Sequence, residues 1–153
     1  MDAGFLLLIA IDRFKGSLQV LAEAVAEEII ASREIYFFKR GVQELWLYAR
    51  EARSVDALMV HLMSAIGNSP PGMRWRQRGV GQRILKNLNS DVRQISERIA
   101  GAAEANWDPG VWLIAAQTYL SYLCQSHSFD VVETSGPEGL GPAENESDGA
   151  SGP

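Results

Sequence analysis

At 153 residues, with 46% apolar and 22% charged side chains, the chain has the composition of an ordinary globular protein and the length of one domain. A single cysteine, Cys124, excludes an internal disulfide framework and any zinc site that needs two thiolates, and it suits a reducing compartment. The net charge of −5 is uneven: no Lys or Arg follows Arg98, and without Asp130, Glu133, Glu138, Glu144, Glu146 and Asp148 the rest holds 13 acids against 14 bases, too neutral for a dedicated nucleic-acid binder.

The chain opens on the apolar run "FLLLIAI", Phe5 to Ile11. Seven residues are too few to span a bilayer, which takes about 20. Asp2 before the run and Asp12-Arg13 after it do not make a signal peptide. The expectation is a buried first turn or a short strand, no membrane partner, and an intracellular, cytoplasmic protein. Phe14, Leu18, Leu21, Val25 and Ile29 then recur at helical spacing, with Glu23, Glu27 and Glu28 turned outward. Gly16-Ser17 is the expected start of that helix, with Ser17 as its cap.

Ile35 to Phe38 fits a short strand or a hydrophobic hinge. A lone strand makes no sheet, so a helix–helix connection is expected. Val42, Leu45, Ala49 and Ala52 form one stripe; Val55, Leu58, Met59, Leu62, Met63 and Ile66 form another. Ser54 between them is the expected N-cap, and Gly67-Asn68 with Pro70-Pro71-Gly72 the stop. Val80, Ile84, Leu88, Val92, Ile95, Ile99 and Ala102 predict one long helix, firmest over 82–100 because Gly79, Gly81 and Gly101 weaken its ends.

Asp108 and Pro109 predict a helix start. The segment Val111 to Cys124 is apolar on nearly every side and belongs in the middle of a bundle, with Trp112, Tyr119 and Tyr122 as core aromatics. From Thr134 onward Gly, Pro, Ser and Glu dominate and Leu140 is the only large apolar side chain. Such a segment cannot bury enough to offset its ordering entropy. The expected fold is therefore all-α: a single-domain bundle of about five helices over residues 1–132, followed by a disordered acidic C-terminal tail over 133–153.

The candidate site is "GMRWRQRGVGQR", Gly72 to Arg83. If it is extended, Arg74, Arg76 and Arg78 share one face and Trp75 the other, so the strip could neutralise phosphates while the indole stacks on a base. As the first turns of a helix the arginines fan out, where the helix dipole disfavours them. Arg83, Lys86 and Arg93 extend the basic surface, interleaved with Asp91, Glu97 and Glu104. These seven residues, Arg74, Trp75, Arg76, Arg78, Arg83, Lys86 and Arg93, are the candidate binding residues for a protein partner or, alternatively, for nucleic acid.

No catalytic, metal or cofactor residues are expected. His61 has no carboxylate three or four positions away, and no H-E-x-x-H spacing occurs. Cys124 and His127 lie three apart without an orienting third residue, so a buried thiol at a helix end is expected. "GVGQR" has no strand before it and no P-loop follows.

Two stretches resemble known families. "IAIDRFKGSLQVLAEAVAEEI", through Asp12, Phe14, Lys15, Gly16, Ser17 and Leu18, resembles the opening of glycerate kinases and would imply a strand turning into a helix. The glycine-rich segment of that family is replaced by "EIYFFKRGVQEL". "ISERIAGAAEANWDPGVWL" with "FDVVETSGPEGLG" resembles a helix–strand–strand passage of the regulatory subunits of the translation initiation guanine-nucleotide exchange factor, whose pocket residues do not recur here. No residue is carried over from either. The functional expectation is a non-enzymatic adaptor or regulatory module. Its partner is another protein or a second copy, met through the Gly67–Arg78 connector, adjacent helical grooves, or Trp46, Leu47 and Tyr48.

Overall fold

A computed structural model describes residues 3–32, 35–68, 75–76 and 79–126. Helix α1 spans Ala3–Ile30, α2 Ile35–Glu51, α3 Val55–Gly67, α4 Val80–Asn89, α5 Asp91–Ala102 and α6 Pro109–Cys124. The architecture is the expected all-α bundle, with no strand among the described residues. The expected tail and Phe129–Val132 lie outside those residues.

The helix of the first stripe does not begin at Ser17. It runs unbroken from Ala3, so Phe5–Ile11 is neither a strand nor wholly buried. Ala10 is buried and Leu6, Leu7, Ile11 and Phe14 pack on the core, whereas Phe5, Leu8 and Ile9 are half exposed or more. Gly16, which suggested a start, sits mid-helix in open space. One glycine costs about 1 kcal/mol in a helix, too little to stop one whose far side is held by tertiary contacts. The strand that a glycerate-kinase likeness implies is absent for the same reason.

The expected connection at Ile35–Phe38 is instead the first turn of α2, because Phe38 is fully buried on the stripe that Val42, Leu45 and Ala49 continue. Ser54 caps α3 as expected, its Oγ accepting from the Ala57 amide at 3.1 Å. Met63, assigned to the buried stripe, is exposed.

The long fourth helix is two. It breaks at Ser90 (φ −120°, ψ −79°), although the Ser90 amide still donates to the Lys86 carbonyl and the Gln94 amide to that of Ser90, each at 2.9 Å. The run "NLNSD" favours a bend there because Asn, Ser and Asp are weak helix formers, although Ser90 makes no side-chain capping bond. The apolar stripe survives from Val80 to Ile99, but Ala103 is buried where Ala102 was expected. Helix α5 ends in a Schellman motif: the Ala105 amide donates to the Ala100 carbonyl at 2.9 Å and the Glu104 amide to that of Gly101 at 3.1 Å. Glu104 there takes the left-handed conformation at φ 56°. The passage from α5 into α6 is helix, turn and helix, not the helix and strands of the exchange-factor likeness.

Asp108 caps α6 by accepting from the amides of Gly110 (2.6 Å) and Val111 (3.2 Å), with Pro109 at the first helical position. Helix α6 lies at the centre, packed against α1, α2, α3 and α5, while α4 closes the bundle against α1, α3 and α5. Tyr119 is fully buried on α6, and its hydroxyl accepts from the Asn87 amide of α4 at 2.9 Å. The Trp112 indole donates to the Leu88 carbonyl at 2.8 Å. The Gln117 amide donates to the Ala49 carbonyl at 2.9 Å.

Two expectations follow for stability. Replacing Glu104 by Gly relieves a left-handed non-glycine at a helix end and should raise stability by up to about 1 kcal/mol in urea titration. Burial pushes the Tyr119 phenol well above its ordinary value, the Asn87 bond only partly opposing this. The unfolded phenol ionises near about 10. Its contribution is therefore complete below that pH and is lost as pH rises further, at about 1.4 kcal/mol per pH unit. Tyr119→Phe should flatten the alkaline limb of a stability–pH curve while costing about 1–3 kcal/mol at neutral pH, because the Asn87 donor loses its acceptor.

Candidate functional site

The tryptophan of the arginine segment points inward. Trp75 is 6% exposed and meets Phe37 and Phe38 of α2 edge-to-face, with centroids 5.7 and 5.6 Å away. Such pairs prefer this geometry because a ring edge is positive and a ring face negative. The approach depends on glycine. A Cβ on Gly41 would come within 2.7 Å of Trp75 Cζ2, and one on Gly81 would lie 3.0 Å from the Trp75 carbonyl oxygen and 2.8 Å from Ile66 Cδ1. Gly81, expected only to weaken a helix end, thus lets α4 pass close to the Trp75 backbone. Gly79, at φ 67°, supplies the left-handed turn that starts α4.

The seven candidate residues separate accordingly. Arg74 and Arg78 lie outside the described residues. Trp75 cannot offer its ring to a base in this arrangement, which corrects the reading of a stacking platform. Arg76 is exposed beside it, and Arg83 and Lys86 are exposed on α4. Arg93 is engaged within the fold. Its guanidinium lies over Trp107 (4.7 Å) and Trp112 (5.1 Å), with Glu97 at 3.7 Å. The Trp107 indole is itself held by donation to Ser96 Oγ at 2.8 Å. The structure therefore places Arg83 and Lys86 together and removes Trp75 and Arg93 from one continuous strip.

Trp75 also walls one end of a cleft between α2 and α3, of about 440 Å³. Its apolar lining comes from Phe37, Leu45, Leu62, Ala65 and Trp75, and its rim from Arg40, Glu44 and His61. Arg40 and Glu44 are 3.8 Å apart on one face of α2, and both are largely exposed. The His61 ring stacks on Tyr48, with centroids 3.9 Å apart and planes 9° from parallel. The cleft was not anticipated residue by residue. Its available signal was a second stripe on α2, Phe37, Gly41, Glu44 and Tyr48, beside the core stripe.

A second depression, between α1 and α4–α5, has two adjoining parts of about 590 and 350 Å³ that share Leu21 and Asp91. Arg83 and Lys86 line the first part, and Arg98, Val20 and Ile95 the second. Val20 is 71% exposed.

The described residues hold no group of three or more His, Cys, Asp or Glu able to bind a metal. Cys124 is half-buried, and burial raises its thiol pKa, which disfavours the thiolate a nucleophile needs. His127, its sequence neighbour, lies outside the described residues. No helix among the described residues is long and apolar enough to cross a membrane. No family model, curated protein or solved structure matches the chain, so neither family likeness lends it a function.

The contact between Gly41 and Trp75 is directly testable. Gly41→Ala gains about 1 kcal/mol of helix propensity. It must also displace a packed indole, and overpacking of this kind costs about 1–3 kcal/mol. Chemical denaturation should show net destabilisation, with changed near-ultraviolet dichroism from Trp75.

Proposed function

We propose that this chain is a non-enzymatic helical interaction module that receives an amphipathic helix of another protein in the α2–α3 cleft beside Trp75. The observation that carries this reading is the cleft itself: an aromatic and aliphatic floor under a rim that holds both signs of charge. A helix laid in such a groove buries apolar anchors spaced three and four apart and leaves its charges at the rim. The α2 wall from Phe37 to Leu45 is about 12 Å long at 1.5 Å per residue, enough for about two turns of a docked helix. Among the described residues the nucleic-acid alternative keeps Arg76, Arg83 and Lys86 as exposed bases, without the indole.

Selection from a displayed library of amphipathic helical peptides should yield a binder. Its amide shift perturbations should centre on Phe37, Gly41, Glu44, His61 and Ala65. Ala65→Arg, at a half-exposed position on the cleft wall, should weaken it by about tenfold or more, the loss of about 1.4 kcal/mol. Binders that map elsewhere, or none at all, would overturn the proposal. Duplex or single-stranded nucleic acid that binds at low salt, with affinity that falls steeply with salt and on Arg83→Ala and Lys86→Ala, would establish the alternative instead.

A further inference from the structure

A second groove, lined by other residues than the proposed cleft, presents a different chemistry. Along the α1/α4–α5 groove, Arg83, Lys86 and Arg98 stand on the α4–α5 side with Asp91 the one acid of the lining. Leu21, Ile95 and the exposed Val20 supply an apolar floor. The occupant that such a groove fits is acidic, extended, and carries a sparse apolar anchor.

We propose that the occupant is this chain's own C-terminal segment, residues 127–153. Charge complementarity comes first. That segment contains Asp130, Glu133, Glu138, Glu144, Glu146 and Asp148 and no Lys or Arg, and Leu140 is a large apolar side chain among the acids. Position comes second. The described chain ends at Ser126, whose Oγ donates to Glu23 Oε1 at 2.7 Å. Glu23 adjoins Ala24 on α1, and Ala24 lines the groove. The segment is therefore tethered to the helix that forms one wall.

Reach comes third. At no more than about 3.3–3.6 Å per residue, the twelve residues from Ser126 to Glu138 reach at most roughly 40 Å. The groove side from Gly79 to Arg98 is about 30 Å long at 1.5 Å per residue. A tether of this length gives an effective concentration in the millimolar range. Any separate acidic partner or polyanion has to displace the segment first. The groove is thus a self-covered surface, distinct from the α2–α3 cleft.

Paramagnetic relaxation in the full-length chain tests this. A nitroxide is attached at Ser147→Cys in a Cys124→Ser background, and amide signals are read from the folded bundle. At low salt, residues 20–24, 83–86 and 98 should lose most of their intensity while the α2–α3 cleft does not. The effect should vanish in about 1 M salt, where charges are screened beyond about 3 Å. It should also vanish in the Arg83→Glu, Lys86→Glu, Arg98→Glu variant, whose unchanged helical dichroism certifies the fold. Absence of selective broadening at low salt overturns the proposal, as does broadening that survives charge reversal. Broadening transmitted from a spin-labelled chain to an isotope-labelled, unmodified one would assign the groove to a second copy and equally reject the intramolecular contact.

Discussion

A helix that is apolar over most of its circumference needs several neighbours, and α6, with Gln117, Thr118 and Ser121 on one side, is such a helix. Its buried residues Val111, Trp112, Ala115, Ala116, Tyr119, Leu120 and Leu123 cover about half of the cylinder at 100° per residue, and half-buried Leu113, Ile114 and Cys124 flank Gln117, Thr118 and Ser121 on the other half. Four other helices pack closely against it, and α4 is hydrogen-bonded to it through Asn87 and Leu88. Gln117, Tyr119 and Trp112 on α6 find partners on neighbouring helices, and Thr118 bonds back within α6 itself. Gln117 reaches the Ala49 carbonyl, Thr118 the Ile114 carbonyl, Tyr119 the Asn87 amide and Trp112 the Leu88 carbonyl. Each such bond is worth about 1 kcal/mol net, but leaving its group unpaired in the core costs about 1–3. The polar contacts therefore fix the rotation of α6 more than they add stability. The positions of α2 and α4 follow from it.

The surface features are consequences of that arrangement. With α2 held by Phe38, Val42, Leu45 and Ala49 against the centre, its next stripe faces α3 across the cleft. Trp75 fills the end of the gap, and Gly41 permits its approach. The indole thus closes a groove rather than projecting into solvent. On the other side, α4 and α5 share one apolar stripe across the bend at Ser90. Arg83, Lys86 and Arg98 are thereby turned toward the flank of α1. Arg93, on the same pair of helices, is drawn instead to the indoles at the start of α6.

Much of this was legible in the sequence. The apolar spacings gave the helices and most of the core, but not Ala22, Ala26, Phe38, Trp75, Ala100 or Ala103. Ser54, Asp108 and Pro109 marked two helix starts correctly, because a cap is a local hydrogen bond and depends on nothing far away. What escaped was set by distant contacts or by small energies. Gly16 suggested a boundary that the tertiary packing of α1 overrides. Phe37 and Phe38 looked like a hinge because burial on one side and a cleft on the other read as an unbroken apolar run. The Ser90 bend had a local signal in "NLNSD", but the long apolar stripe runs straight through it and predicts one helix. For the site, sequence placed an indole among arginines and could not say which way the ring points. That direction is decided by Gly41, 34 positions earlier, and by Gly81.

The charge distribution bears on specificity. A body close to neutral has a weak long-range field, so groups near one another on the surface matter more than net charge. At physiological ionic strength the screening length is about 8 Å. Arg83 and Lys86, three positions apart on α4, are less than a turn of helix from each other, well inside that distance. They act jointly on a ligand in the groove, while acids on the far side of the bundle are screened from it. In the α2–α3 cleft Arg40 and Glu44 largely cancel, leaving apolar burial and shape to select a partner. The two faces thus discriminate by different physics. One responds to charge and is weakened by salt, whereas the other depends on how well side chains fill an aromatic groove and is nearly indifferent to it.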